Sequence, residues 1–159
     1  MEESVALAEF LEYYRKSMDL QPVDVRTYSP LVLAYIGDAV YELMIRSKVI
    51  NRGSMQVNKM HKHSAALVKA SAQAQMIKTL EGELTEEEQA VYKRGRNAKS
   101  ATMAKNATMI DYRMATGFEA LVGWLFLTGA YERLVELVSF GLKRSGLLTQ
   151  PEDKGEQPT

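Results

Sequence analysis

Apolar residues recur along this chain at intervals of three and four, and nowhere do they alternate over a run long enough for a strand, so the pattern predicts an all-α fold. Val5, Ala8, Leu11 and Tyr14 mark a short first helix, which the stretch from Gln21 to Ser29 separates from the next. Ser29 followed by Pro30 reads as an N-cap with proline in the first turn. The second helix then runs from Pro30 to about Ile50, where Asn51-Arg52-Gly53 stops it. Val57, Met60, Ser64, Leu67, Ser71, Ala74 and Ile77 share one side of a single long third helix ending near Leu80. Thr85 with Glu88 three residues later is a capping box, and opens a fourth helix that lasts to Gly95. Residues 95 to 110 lose the period and read as a loop. Asp111 is expected to cap a fifth helix carrying Ala115, Phe118, Leu121, Val122, Leu125 and Phe126, with a stop at Gly129. A sixth follows from Tyr131 to about Arg144, with Leu134, Leu137, Val138 and Leu142 turned inward.

With 159 residues the chain suits one domain with a sizeable core. Residues 1–21 are expected to form a helical extension, 22–148 the main domain, and 149–159, rich in Pro, Glu, Gly and Gln, a disordered tail. No run approaches the ~20 apolar residues of a membrane span. The start Met-Glu-Glu-Ser has no apolar signal core, so a cytoplasmic protein is expected. The absence of cysteine excludes disulfides and thiolate metal sites. Formal net charge is zero, so bulk charge does not select a nucleic-acid partner. Its distribution does: between Gln89 and Ile110 lie Lys93, Arg94, Arg96, Lys99 and Lys105 with no acid among them.

Two acids break the apolar pattern. Asp38 interrupts the run from Leu31 to Ile45, and Glu119 interrupts the run from Ala115 to Leu127, neither with an adjacent Lys or Arg. A carboxylate drawn out of water must be protonated, paired or bound to a cation. Gly37 beside Asp38 and Gly123 one turn after Glu119 suit a close crossing of the two helices, which would bring the acids face to face. A hard divalent cation such as Mg²⁺ would relieve their repulsion and leave positions for water and phosphate oxygens, a combination suited to phosphodiester hydrolysis. Glu42, four residues before Arg46, reads instead as half of a surface ion pair. His61 and His63 point apart on a helix, and Glu86 to Glu88 read as a favourable helix start.

The string Leu33-Ala34-Tyr35-Ile36-Gly37-Asp38-Ala39-Val40 resembles the ribonuclease III signature, and Phe118-Glu119-Ala120-Leu121-Val122-Gly123 resembles that family's second acidic motif. Lys93-Arg94-Gly95-Arg96-Asn97-Ala98-Lys99-Ser100 is similar to the basic loop of its compact bacterial subgroup, Mini-ribonuclease III. The resemblance covers about residues 28 to 144. It departs at Ala34 and Thr116, where ribonuclease III carries two further acids of a four-acid metal site.

The resemblance implies a ribonuclease III catalytic-domain fold and a Mg²⁺-dependent endoribonuclease acting on double-stranded RNA. Asp38 and Glu119 would be its catalytic and metal residues. It further implies a homodimer leaving 5′-phosphate ends and, for the compact subgroup, precursor large-subunit (23S) ribosomal RNA as substrate. Only a short tail follows the sixth helix, so no double-stranded-RNA-binding domain is expected, and the RNA contacts fall to Lys93, Arg94, Arg96, Asn97, Lys99 and Lys105. Tyr35, Tyr41, Leu43 and Met44 give the second helix more apolar surface than one stripe needs, as a partner copy would require. The rival reading is a non-catalytic RNA-binding or ribosome-associated protein that kept the fold, since loss of acids is how a nuclease would decay.

Overall fold

The structure, a computed structural model, describes residues 2–99 and 108–148. Among these residues there are seven α-helices and no strand: α1 (Glu2–Ser17), α2 (Pro30–Ile50), α3 (Val57–Val68), α4 (Ala70–Leu80), α5 (Glu86–Asn97), α6 (Met109–Leu127) and α7 (Tyr131–Ser145). The predicted fold class therefore holds. The expected tail from 149 lies outside the described residues, as do residues 100–107 of the expected basic loop.

Helix α6 is the axis. Its buried residues run right round it, with Met114, Phe118, Leu121 and Leu125 on one side, Ala115 and Gly123 on a second and Gly117 and Ala120 on a third, and α2, α4, α5 and α7 pack about it. A helix apolar on all sides belongs at the centre of a core rather than on its edge. Its partners supply Tyr41, Ile45, Met76, Ile77, Leu80 and Leu137 to the same cluster. Tyr41 is fully buried, stands edge-on to Phe118 with ring centroids 5.0 Å apart, and donates its hydroxyl to the Leu67 carbonyl at 3.1 Å. It is thus a core residue and not partner surface. Met44 also packs against the core, which leaves Tyr35 and Leu43 as the exposed members of the expected apolar excess.

Three local expectations change. The single long third helix is broken at Lys69, whose extended backbone (φ −63°, ψ 155°) separates α3 from α4. In an unbroken helix the Leu67 and Val68 carbonyls would accept from backbone amides four residues on. Here they accept instead from the Tyr41 hydroxyl and from Gln73 Nε2, at 3.1 and 2.9 Å. Helix α5 runs past Gly95 to Asn97, because Gly95 is an interior packing position: a Cβ there would sit 2.8 Å from Gly117 Cα of α6. The cap of α6 is Thr108, whose hydroxyl accepts from the Asp111 amide at 3.1 Å, so Asp111 lies in the first turn, where its charge suits the helix dipole.

Other helix signals hold. The Ser29 hydroxyl accepts from the Val32 amide, and Thr85 and Glu88 form the reciprocal capping box. The Glu88 side chain does more than start a helix: it is 3% exposed and grips Arg133 of α7 through two hydrogen bonds, at 2.8 and 2.9 Å. No helix among the described residues is long and apolar enough to cross a membrane.

Candidate active site at the α2–α6 crossing

The crossing of α2 and α6 is made by backbone. A Cβ on Gly37 would run into the Glu119 carbonyl and lie 2.8 Å from the Gly123 nitrogen, and a Cβ on Gly123 would run into the Leu33 carbonyl. The two glycines thus face each other across the contact that the sequence suggested. Each acid stands within a turn of its glycine, so both side chains emerge on one side of the crossing.

They emerge into a cleft of about 430 Å³ lined by Asp38 and Glu119 with Leu31, Ala34, Tyr35, Val68, Lys69, Ala70, Tyr112, Ala115 and Thr116. Ala34 and Thr116, the positions where the family pattern has its other two acids, are part of the same wall. The cleft is open: Asp38 is exposed and Glu119 half-buried, so neither acid is sealed in the core as its apolar surroundings in sequence suggested. Both nonetheless resist ionisation. Partial desolvation by the cleft wall, and then the Glu42 charge, raise the Asp38 pKa. Burial and the Asp38 charge push Glu119 up to about 8, against a smaller opposing effect of the Gln73 amide. Among the described residues no Lys, Arg or His forms an ion pair with either acid. Glu42 is held by Arg46 at 2.9 Å, as expected of a surface pair.

The donor set fits a hard divalent cation. It offers carboxylate oxygens only, both short of positive charge, in a cleft with room for water and a phosphate. No group of three or more His, Asp and Glu residues converges among the described residues, which bring the pair alone to the cleft. His61 and His63 face other clefts.

Two residues of the site were not foreseen. Lys69 enters the wall through the α3–α4 break, and Tyr112 through the first turn of α6. Read as one continuous helix, residues 57–80 gave Lys69 no special place; only its extended backbone brings it to the cleft. The basic residues take a more helical form than predicted. Lys93, Arg94, Arg96 and Asn97 lie in the last turns of α5, with Lys99 just beyond. Lys93, Arg94, Asn97 and Lys99 are exposed or partly so, and Arg96 lies over the Tyr92 ring at 5.7 Å while bonding Asn97. Lys105 lies outside the described residues.

Residues 31–130 match the model of the ribonuclease III domain, a span that runs from α2 through α6. The chain belongs to the ribonuclease III family, in its compact Mini-ribonuclease III branch, and is accordingly an endoribonuclease. It is 53% identical over 116 residues to Mini-ribonuclease 3 of Clostridium tetani, covering 72% of this chain and 77% of that protein. Mini-ribonuclease 3 of Enterococcus faecalis is 49% identical over 125 residues, 77% of this chain and 95% of that one. A crystal structure of a Fusobacterium nucleatum protein superposes with a TM-score of 0.70 at 31% identity, covering 77% of this chain and 99% of the other.

Proposed function

We propose that this endoribonuclease cleaves double-stranded RNA, that Asp38 and Glu119 are its catalytic and metal residues, and that its substrate is precursor 23S ribosomal RNA in the cytoplasm. The observation that carries the reading is the cleft itself: two carboxylates brought together by a glycine-on-glycine crossing, both disfavoured as anions, with no cationic side chain paired to them among the described residues. A core under selection for stability alone would not keep that arrangement.

Asp38 and Glu119 would hold a Mg²⁺ ion, which when bound lowers the pKa of a coordinated water and offsets charge on the phosphoryl oxygens. The protein's own contributions are positional. The crossing fixes both acids on rigid helices, which holds them more exactly than loops would. Glu119 must shed a proton to act as a ligand, and the proximity of a cation favours that loss. Lys69 offers a positive charge at the cleft wall to an approaching phosphate. Lys93, Arg94, Arg96, Asn97, Lys99 and Lys105 supply further phosphate contacts, the contact class that dominates nucleic-acid affinity. Recognition rests on backbone and shape, because the deep groove of A-form RNA hides its base edges. The exposed Tyr35 and Leu43 on α2 support a homodimer formed through that helix, one cleft for each strand.

The test is cleavage of long double-stranded RNA with Mg²⁺ or with chelator, beside Asp38→Asn and Glu119→Gln. Each substitution is expected to lower the rate by more than about 100-fold while RNA binding survives. Cutting that persists in chelator or in both variants would sink the metal-carboxylate reading. Binding without cutting by the unaltered protein would make it a non-catalytic RNA-binding member of the family.

A further inference from the structure

Lys69 stands exposed at the break between α3 and α4, on backbone that is held from both sides. Its amide donates to the Ala65 carbonyl and its carbonyl accepts from the Gln73 amide, each at 3.1 Å. The two carbonyls before it are taken by the buried side chains of Tyr41 and Gln73. A lysine on a loose loop would sweep a wide volume, whereas this one has a fixed mount.

That mount sets it in the wall of the acid cleft, between Val68 and Ala70. Of the side chains that line the cleft, Lys69 alone is cationic. It nonetheless pairs with neither Asp38 nor Glu119, and its ammonium has no ion-pair partner among the described residues. A lysine kept to neutralise the acids would sit against them. This one leaves the space between for a ligand.

Charge decides what that ligand needs. Two carboxylates balance one divalent cation, and with Ala34 and Thr116 in the wall the cleft offers acids for no more than that. A phosphodiester arrives with one negative charge, and its hydrolysis adds to it. The oxygen of water bonds to phosphorus and its proton passes to solvent; the bond from phosphorus to the 3′ oxygen breaks, and that oxygen takes up a proton and departs as a hydroxyl, leaving a 5′-phosphate. On the way, charge gathers on the non-bridging oxygens. The balanced carboxylate–cation unit leaves that increase short of positive charge, and Lys69 is the lining side chain that can supply it.

We propose that Lys69 is a further catalytic residue, its ammonium meeting a non-bridging oxygen of the scissile phosphate from the α3–α4 wall and stabilising the charge that grows there in the transition state. This inference rests on the reading of the cleft as the active site, and goes past a contact that merely binds: the interaction strengthens as the reaction proceeds, so its loss appears in the rate at saturation.

The experiment is single-turnover cleavage of long double-stranded RNA by saturating full-length protein with Mg²⁺, for wild type, Lys69→Met, Lys69→Arg and Glu119→Gln, beside RNA affinity, calorimetric Mg²⁺ affinity and Tm. Lys69→Met is expected to slow cutting roughly 100-fold, with RNA affinity changed far less and with Tm and Mg²⁺ affinity no lower than in wild type. Lys69→Arg, which keeps the charge, is expected to recover most of the rate. A wild-type rate at saturation in Lys69→Met would overturn the proposal and leave Lys69 a binding contact at most. A slowed rate that Lys69→Arg does not recover, or that comes with a lowered Tm or weakened Mg²⁺ binding, would also overturn it, and would assign Lys69 to the fold of the break. Wild-type cutting by Glu119→Gln would instead remove the active-site reading on which the inference rests.

Discussion

Glu88 and Glu119 are both carboxylates drawn inward by the same helical scaffold, and their surroundings treat them in opposite ways. Glu88, at the start of α5, accepts the Thr85 amide and two bonds from Arg133, which also reaches the Glu83 carbonyl at 2.7 Å. Those bonds, the Arg133 ones foremost, hold its pKa below the ordinary 4.5. Glu119, on α6, is pushed up to about 8 by its burial first and by the charge of its neighbour Asp38 second, with no cation paired to it among the described residues to offset either. The first carboxylate is satisfied and joins α5 to α7; the second is left wanting a positive charge. That contrast, more than burial itself, separates a structural acid from one kept for chemistry.

The largest way to break the contrast is to remove the cation from the satisfied acid. Arg133→Ala leaves Glu88 buried and unpaired, and is expected to cost about 3 kcal/mol, read as a lowered urea midpoint with an unchanged slope. Glu119→Gln, which removes the unsatisfied charge, is expected to leave the midpoint of the metal-free protein unchanged or raised. A similar loss in both variants would erase the distinction.

The two acids also predict opposite responses to pH. Glu88 has a lowered folded-state pKa, so its contribution is present above 4.5 and lost as pH falls through the lower folded value. Glu119 has a raised one, so its contribution is full below 4.5 and lost as pH rises through about 8. In metal-free protein, then, Glu119→Gln should flatten the decline in stability between those limits, and Arg133→Ala should flatten the loss on the acid side. Unfolding measured against pH in three proteins checks both limbs.

Much of this was legible in the sequence because the controlling contacts are local or carry a local mark. Gly37 beside Asp38 and Gly123 a turn after Glu119 announce a backbone crossing, and Ser29-Pro30 and Thr85 with Glu88 announce helix starts. What was illegible depends on groups far apart in the chain. The break at Lys69 comes from Tyr41 and Gln73 taking carbonyls that a continuous helix would have used, and Tyr41 lies 26 residues before its acceptor. Missing the break meant missing Lys69 in the cleft. Glu88 reads as a helix start because Arg133 is 45 residues away. Tyr41 suggested partner surface because sequence shows how apolar α2 is, and not that α6 and α3 cover two of its sides.

The smallest expected effect concerns the basic end of α5. Joint charge removal at Arg94, Arg96 and Lys99 is expected to weaken RNA binding and to reduce the slope of log affinity against log salt by roughly 1 for every phosphate that is no longer neutralised. An unchanged slope would place the phosphate-binding residues elsewhere on the protein.

Proton release on Mg²⁺ binding is the most direct measurement of all. With its pKa raised to about 8, Glu119 in the metal-free protein holds its proton more tightly than a free glutamate and gives it up to become a ligand. Calorimetric titration of wild type with Mg²⁺ in buffers of different ionisation enthalpy should therefore show binding coupled to release of a proton, and Glu119→Gln should lose both. Ion binding of equal strength in Glu119→Gln would contradict the assignment of Asp38 and Glu119 as the cation site.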